Sequence, residues 1–130
     1  MAKLTDDMKK MVASHQVFVA TASLDGVPNI ATKGSAQILD DEHLVFYELT
    51  GGRTWANLQN NPKLAIAVVD RSTMKGYRFT GQAEFVTEGE LYAGAQKLAE
   101  MLKIPAPPKA AVKMKVEEIF DLGKGGLKIA

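Results

Sequence analysis

The chain is expected to fold as one mainly β (α+β) domain over residues 1–130, with six antiparallel strands and about three helices. Three observations predict this. Apolar residues recur at every second position in short runs, most clearly Tyr77, Phe79, Gly81, Ala83 and Phe85, which is the period of a half-buried strand. Turn chemistry punctuates the runs, as at Asp25-Gly26, and favours antiparallel hairpins. The first three strand-like runs follow one another without a helix pattern between them. That order disagrees with a Rossmann alternation and points to a barrel or sandwich.

The elements follow in sequence. Thr5 reads as a helix N-cap, Asp6 and Asp7 suit the positive first turn, and Met8, Met11 and Val12 share a face, so a helix is expected over Asp6–Ser14. Val17–Ala22 is the first strand, and a second begins at Pro28 and continues to Leu39. Asp40-Asp41-Glu42 makes a polar turn before a third strand from His43 to Leu49. A short helix is expected over Thr54–Asn60, stopped by Asn61-Pro62 because proline disfavours helical geometry in the residue before it. Leu64–Val69 is almost wholly apolar, as a strand covered on both faces would be, and the alternating run around Tyr77–Phe85 follows. Thr87-Glu88-Gly89-Glu90 matches a capping box, and Leu91, Ala95, Leu98 and Leu102 mark the helix face behind it. A stiff Pro-rich connection leads to a last strand, Val112 to Leu122, and a loose Gly-rich tail.

Composition narrows the function. A net charge of +1, with 16 basic residues spread along the chain, gives no global attraction to nucleic acid or an anionic membrane. The absence of cysteine excludes disulfides, thiolate metal sites and cysteine nucleophiles, and agrees with a cytoplasmic address. The N-terminal residues turn acidic where a signal peptide would be apolar, and no apolar run is long enough to span a bilayer. With only His15 and His43, a multi-histidine metal site is impossible, and Asp40, Asp41 and Glu42 read as a solvated turn.

The stretch most suggestive of chemistry is Gly51-Gly52-Arg53-Thr54-Trp55-Ala56-Asn57. Two glycines free the backbone, a helix start offers unpaired N–H groups, and Arg53, Thr54 and Asn57 add donors. Together they could seat a phosphate; the same residues also suit a plain strand-to-helix loop with a solvated arginine, and it is no Walker loop. A second stretch, Thr32-Lys33-Gly34-Ser35, interrupts a strand of the expected core sheet with polar residues, and its glycine invites close approach of a backbone or a flat ring. An exposed polar strand would read the same way. Trp55 suits packing in a core or subunit interface.

Three segments in order resemble the FMN-binding split β-barrels related to pyridoxamine 5′-phosphate oxidase: Val19–Asn29 with its Gly-x-Pro hairpin, Gly52–Pro62 with its basic-Thr-x-x-Asn helix and Asn-Pro, and Gly76–Ala83 with its internal glycine. The resemblance spans about Val17 to Leu122 and implies a six-stranded antiparallel split barrel that binds FMN. It implies that Arg53, Thr54 and Asn57 hold the FMN phosphate, and that Thr32, Lys33, Gly34 and Ser35 border the isoalloxazine and ribityl chain, with Lys33 placed to stabilise reduced flavin. It further implies a homodimer with cofactor sites at the subunit interface, where Tyr77, Arg78 and Phe79, or residues near the C-terminus, face the flavin held mainly by the other chain. The implied activity is that of a flavin-dependent oxidoreductase, its catalytic residues and redox partner unassigned. The alternatives are a non-enzymatic electron-transfer module or a deazaflavin- or haem-binding barrel. True pyridoxamine 5′-phosphate oxidases grip their substrate with C-terminal arginines; no arginine follows Arg78 here, so that activity itself is not expected.

Overall fold

In the computed structural model, which describes residues 2–130, the chain runs α1 (Asp6–Ser14), β1 (Val17–Ala22), β2 (Pro28–Thr32), β3 (Gln37–Asp40), β4 (His43–Glu48), α2 (Arg53–Asn60), β5 (Lys63–Asp70), β6 (Lys75–Val86), α3 (Gly89–Met101), β7 (Ala110–Asp121) and β8 (Leu127–Lys128). All pairings are antiparallel, in the order β2-β1-β5-β6-β7-β4-β3, with β8 added to β7. The chain passes from one edge of this sheet to the other through residues 33–36 alone. Five Cα steps reach at most about 18 Å, whereas the edges of a flat sheet with these six gaps would lie about 29 Å apart. The sheet therefore curls until β2 and β3 approach, which makes it a split barrel.

The curl encloses an apolar interior. Val19, Ile66, Val68, Phe79, Phe46, Leu44 and Met114 are buried within it. Helix α1 packs on β3 and β5, which lie far apart in the sheet order, and its Met8, Met11 and Val12 join the same core. The Thr5 side chain accepts the Met8 N–H at 3.3 Å, and Met8 Sδ accepts the Thr5 N–H at 3.4 Å, so the N-cap forms as expected. Lys9 pairs with Asp41, and the Leu4 N–H donates to the Asp41 carbonyl at 2.7 Å, fastening the helix to the β3–β4 turn. Among the described residues no helix is long and apolar enough to cross a membrane.

Glycine has a steric reason at one core position. In the β6–β7 pairing the register slips between Thr80, opposite Glu118, and Gly81, opposite Val116, leaving Glu117 as the extra residue of a bulge. A Cβ on Gly81 would stand 2.2 Å from the Lys115 carbonyl oxygen.

Several expectations change. The strand expected from Pro28 to Leu39 is two strands, because the chain turns at residues 33–36, where the Ala36 N–H donates to the Lys33 carbonyl at 3.2 Å. With β8 this raises the strand count from six to eight. The tail is not loose: β8 pairs Leu127 with Asp121, and the Ile119 N–H donates to the Ala130 carbonyl at 3.0 Å. The capping box at Thr87–Glu90 does not form; Glu88 is the N-cap of α3 without a side-chain bond, and Gly89 turns at φ 83°. The buried face of α3 is Ala95 and Ala99, while Leu102 falls past the helix and is exposed.

Candidate functional site

The glycine pair turns the backbone at the helix start, as its conformational freedom allows. Gly51 has φ 81° and Gly52 φ 147°, ψ −158°, conformations that L side chains avoid. They reverse the chain after β4 and start α2 at Arg53, one residue before the expected start. The first helical bond runs from the Ala56 N–H to the Gly52 carbonyl at 2.9 Å. The N–H groups of Arg53, Thr54 and Trp55 precede it and are the orphan donors of the helix start. An open cleft of about 480 Å³ lies there, lined by Ser23, Val27, Gly52, Arg53, Ala56 and Asn57. Arg53 is exposed, and among the described residues no carboxylate pairs with it.

Thr54 and Asn57 point inward, and Asn57 also lines the cleft. Both are buried. Asn57 Nδ2 donates to Thr21 Oγ1 at 3.1 Å, and Asn29 Nδ2 donates to Thr54 Oγ1 at 3.1 Å. These bonds fasten α2 to β1 and β2. The Thr54 hydroxyl keeps its own proton to donate, and Asn57 keeps one amide N–H. Sequence reasoning missed Thr21 and Asn29 as partners. Thr21 had a legible signal, since it shares the inward parity of Val17 and Val19 on β1 and is itself buried.

The second stretch sits elsewhere than expected. Thr32, Lys33, Gly34 and Ser35 lie not in mid-sheet but at the break between the two edge strands. They line a cleft of about 370 Å³ together with Tyr47, Glu48, Leu98 of α3 and Leu102 just past it. Close approach does not explain Gly34, since a Cβ there would meet nothing within 4 Å. Ser35 Oγ accepts the Tyr47 N–H at 2.9 Å and retains its proton. Lys33 is not a free cation: its Nζ lies 3.1 Å from both carboxylate oxygens of Glu48 and 5.5 Å from the Phe46 ring centroid. Glu48 was missed, although it is a charge on the inward parity of Leu44 and Phe46. Thr50 lines this cleft and Gly52 the first, so the two linings come within about 7 Å along the chain.

Other candidates have structural roles. Phe79 is fully buried and cannot face another chain, Tyr77 donates to Asp7 at 2.6 Å, and Arg78 lies over the Phe120 ring at 4.3 Å. Trp55 packs on Phe85, with centroids 4.8 Å apart. His43 bonds Asp40 at 2.8 Å, His15 lies 3.5 Å from Asp70, and neither lines the two clefts. Among the described residues no group of three or more His, Asp or Glu side chains could hold a metal ion.

Residues 4–123 match the family described as pyridoxamine 5′-phosphate oxidase. The chain is 37% identical over 125 residues to an uncharacterized protein of Methanocaldococcus jannaschii, covering 95% of this chain and 83% of that one. The crystal structure of HupZ from Group A Streptococcus superposes with TM-score 0.84 at 38% identity, covering 98% of this chain and 99% of that one. An FMN-binding protein of Syntrophomonas wolfei shares the fold with TM-score 0.73 at 16% identity, over 88% of this chain and 82% of that one. Below 25% identity the same fold also occurs in an F420 reductase and in a haem-binding protein of Mycobacterium smegmatis.

Proposed function

Because the chain belongs to the pyridoxamine 5′-phosphate oxidase family, we propose that it is an FMN-binding flavoprotein acting as a flavin-dependent oxidoreductase. One observation carries the reading: the Gly51-Gly52 turn opens α2 over a cleft where Arg53 and three backbone N–H groups are unspent. That donor set suits a phosphate dianion by charge and by the helix's positive end. The donors left in the neighbouring cleft, the third Lys33 N–H and the Ser35 hydroxyl, suit the acceptor edge of a ring. With linings about 7 Å apart, one elongated ligand can use both.

In this reading Arg53, the Thr54 hydroxyl and the helix-start N–H groups hold the phosphate. Asn57 contributes mainly by fixing α2 against β1 through Thr21. Thr32, Lys33, Gly34 and Ser35 border the ring. When bound, FMN supplies one- and two-electron chemistry, and the protein's part is to orient and shield it. Both clefts are open, and Leu24, Val27 and Ile30 on the adjoining hairpin are exposed. A homodimer in which a second copy walls these clefts is the assembly this reading requires. A haem held by imidazole is disfavoured, because neither histidine lines the clefts.

The test is a flavin titration followed by fluorescence quenching. Arg53→Ala is expected to weaken FMN binding by about 1–3 kcal/mol, the worth of a charge-assisted contact, while riboflavin, which has no phosphate, loses little. Equal loss for both ligands, or no flavin binding by the wild type, overturns the assignment.

A further inference from the structure

We propose that Glu48 is a positioning residue of the flavin site, holding Lys33 in place and offsetting its charge so that reduced flavin is not over-stabilised. This rests on the FMN reading above. Among the described residues Glu48 is the only buried ionisable side chain, at 4% exposure. Its partner Lys33 is nearly as covered, with 16% of its side chain exposed, and Nζ meets both carboxylate oxygens at 3.1 Å.

Such a pair is a poor device for stability. Taking two charges out of water carries a desolvation cost that their attraction often fails to repay, and well-packed apolar residues commonly do as well or better. The alternative was close at hand, since the inward neighbours of Glu48 on β4, Leu44 and Phe46, are apolar. The pair also does not lie in the barrel's centre; both residues line the cleft formed by the Thr32–Ser35 turn. A lysine side chain is long and rotamer-rich. Two bonds to Glu48 fix it over the Phe46 ring and leave one N–H for the cleft.

The electrostatic consequence follows from the arithmetic of flavin reduction. Two electrons and one proton convert oxidised FMN to the hydroquinone anion, adding one negative charge to the ring; in a titration dithionite supplies the electrons and solvent the proton. Lys33 attracts that charge and Glu48 repels it. Glu48→Gln leaves Lys33 uncompensated, so the reduced form gains affinity over the oxidised form. Lys33→Met leaves Glu48 uncompensated and does the reverse. A tenfold change in the ratio of the two affinities corresponds to about 30 mV for a two-electron couple.

The experiment is an anaerobic dithionite titration of the full-length, FMN-loaded protein against a reference dye. Glu48→Gln is expected to raise the midpoint potential by about 30 mV or more, and Lys33→Met to lower it by a similar amount. The double variant, neutral again, returns toward the wild-type value. A purely structural pair would destabilise the fold without this opposed pattern. Potentials that stay put, or move in the same direction, while FMN remains bound overturn this inference and leave the FMN reading standing. Failure of the wild type to bind FMN overturns both.

Discussion

Asn57 separates a fold-forming residue from a ligand contact, and Asn57→Ala measures the difference in the cofactor-free protein. Its amide donates to Thr21 Oγ1 at 3.1 Å, and both side chains are buried, at 8% and 5% exposure. Truncation leaves the Thr21 hydroxyl without that partner, which costs about 1–3 kcal/mol. Alanine returns up to about 0.7 kcal/mol through its better helix propensity. The net destabilisation is therefore about 1–2 kcal/mol, or roughly 3–10 °C in Tm for a domain of this size. Thr21→Val removes the other partner and exposes the same bond. Urea denaturation of the two single variants and the double variant closes a cycle, in which the bond should surface as a coupling of about 1 kcal/mol. Costs that add to within about 0.3 kcal/mol would refute the reasoning, as would an apo-protein indifferent to Asn57→Ala. Either result would return Asn57 to the phosphate site alone.

Two glycines should fail for different reasons. Gly81→Ala forces a methyl against the Lys115 carbonyl, only 2.2 Å away, and is expected to cost about 3 kcal/mol or more because backbone must move. Gly52→Ala meets nothing within 4 Å, yet its φ of 147° should cost about 1–3 kcal/mol in backbone strain. Denaturant midpoints check both, and a larger loss at Gly52 than at Gly81 would reverse the argument. Alkaline pH should loosen α1: the bond from Tyr77 to the Asp7 carboxylate, with burial second, raises the phenol from 10.0 to about 12. A pKa raised in the folded state stabilises fully below pH 10 and fades as pH climbs toward 12. The stability gap between wild type and Tyr77→Phe should accordingly be largest below pH 10 and shrink above it; a gap independent of pH across that window would contradict this account.

Local rules wrote much of this molecule legibly. The Thr5 cap and the Asp25-Gly26 hairpin each depend on residues a few positions apart and form as those residues require, while the alternation along β6 holds from Phe79 to Ala83 and lapses at Phe85, which is exposed. The glycine turn at the start of α2 was readable for the same reason. The break at residues 33–36 was not, because Lys33 and Ser35 are compatible with a continuing strand, and their role there comes from β4. Ser35 takes the Tyr47 N–H and Lys33 meets Glu48. The capping pattern at Thr87–Glu90 was present in the letters but lost to the φ of Gly89.

Sequence by itself determined the antiparallel β class and the glycine-opened helix start, since periodicity, turn chemistry and conformational freedom act over neighbouring residues. Only the tertiary structure decided that α2 is bolted to the first hairpin through Thr21 and Asn29, and that Lys33 faces a buried carboxylate rather than solvent. Those partners lie 15 to 36 positions apart in the chain. They meet only because the sheet curls far enough to bring its edges together, and nothing in a local pattern measures that curvature.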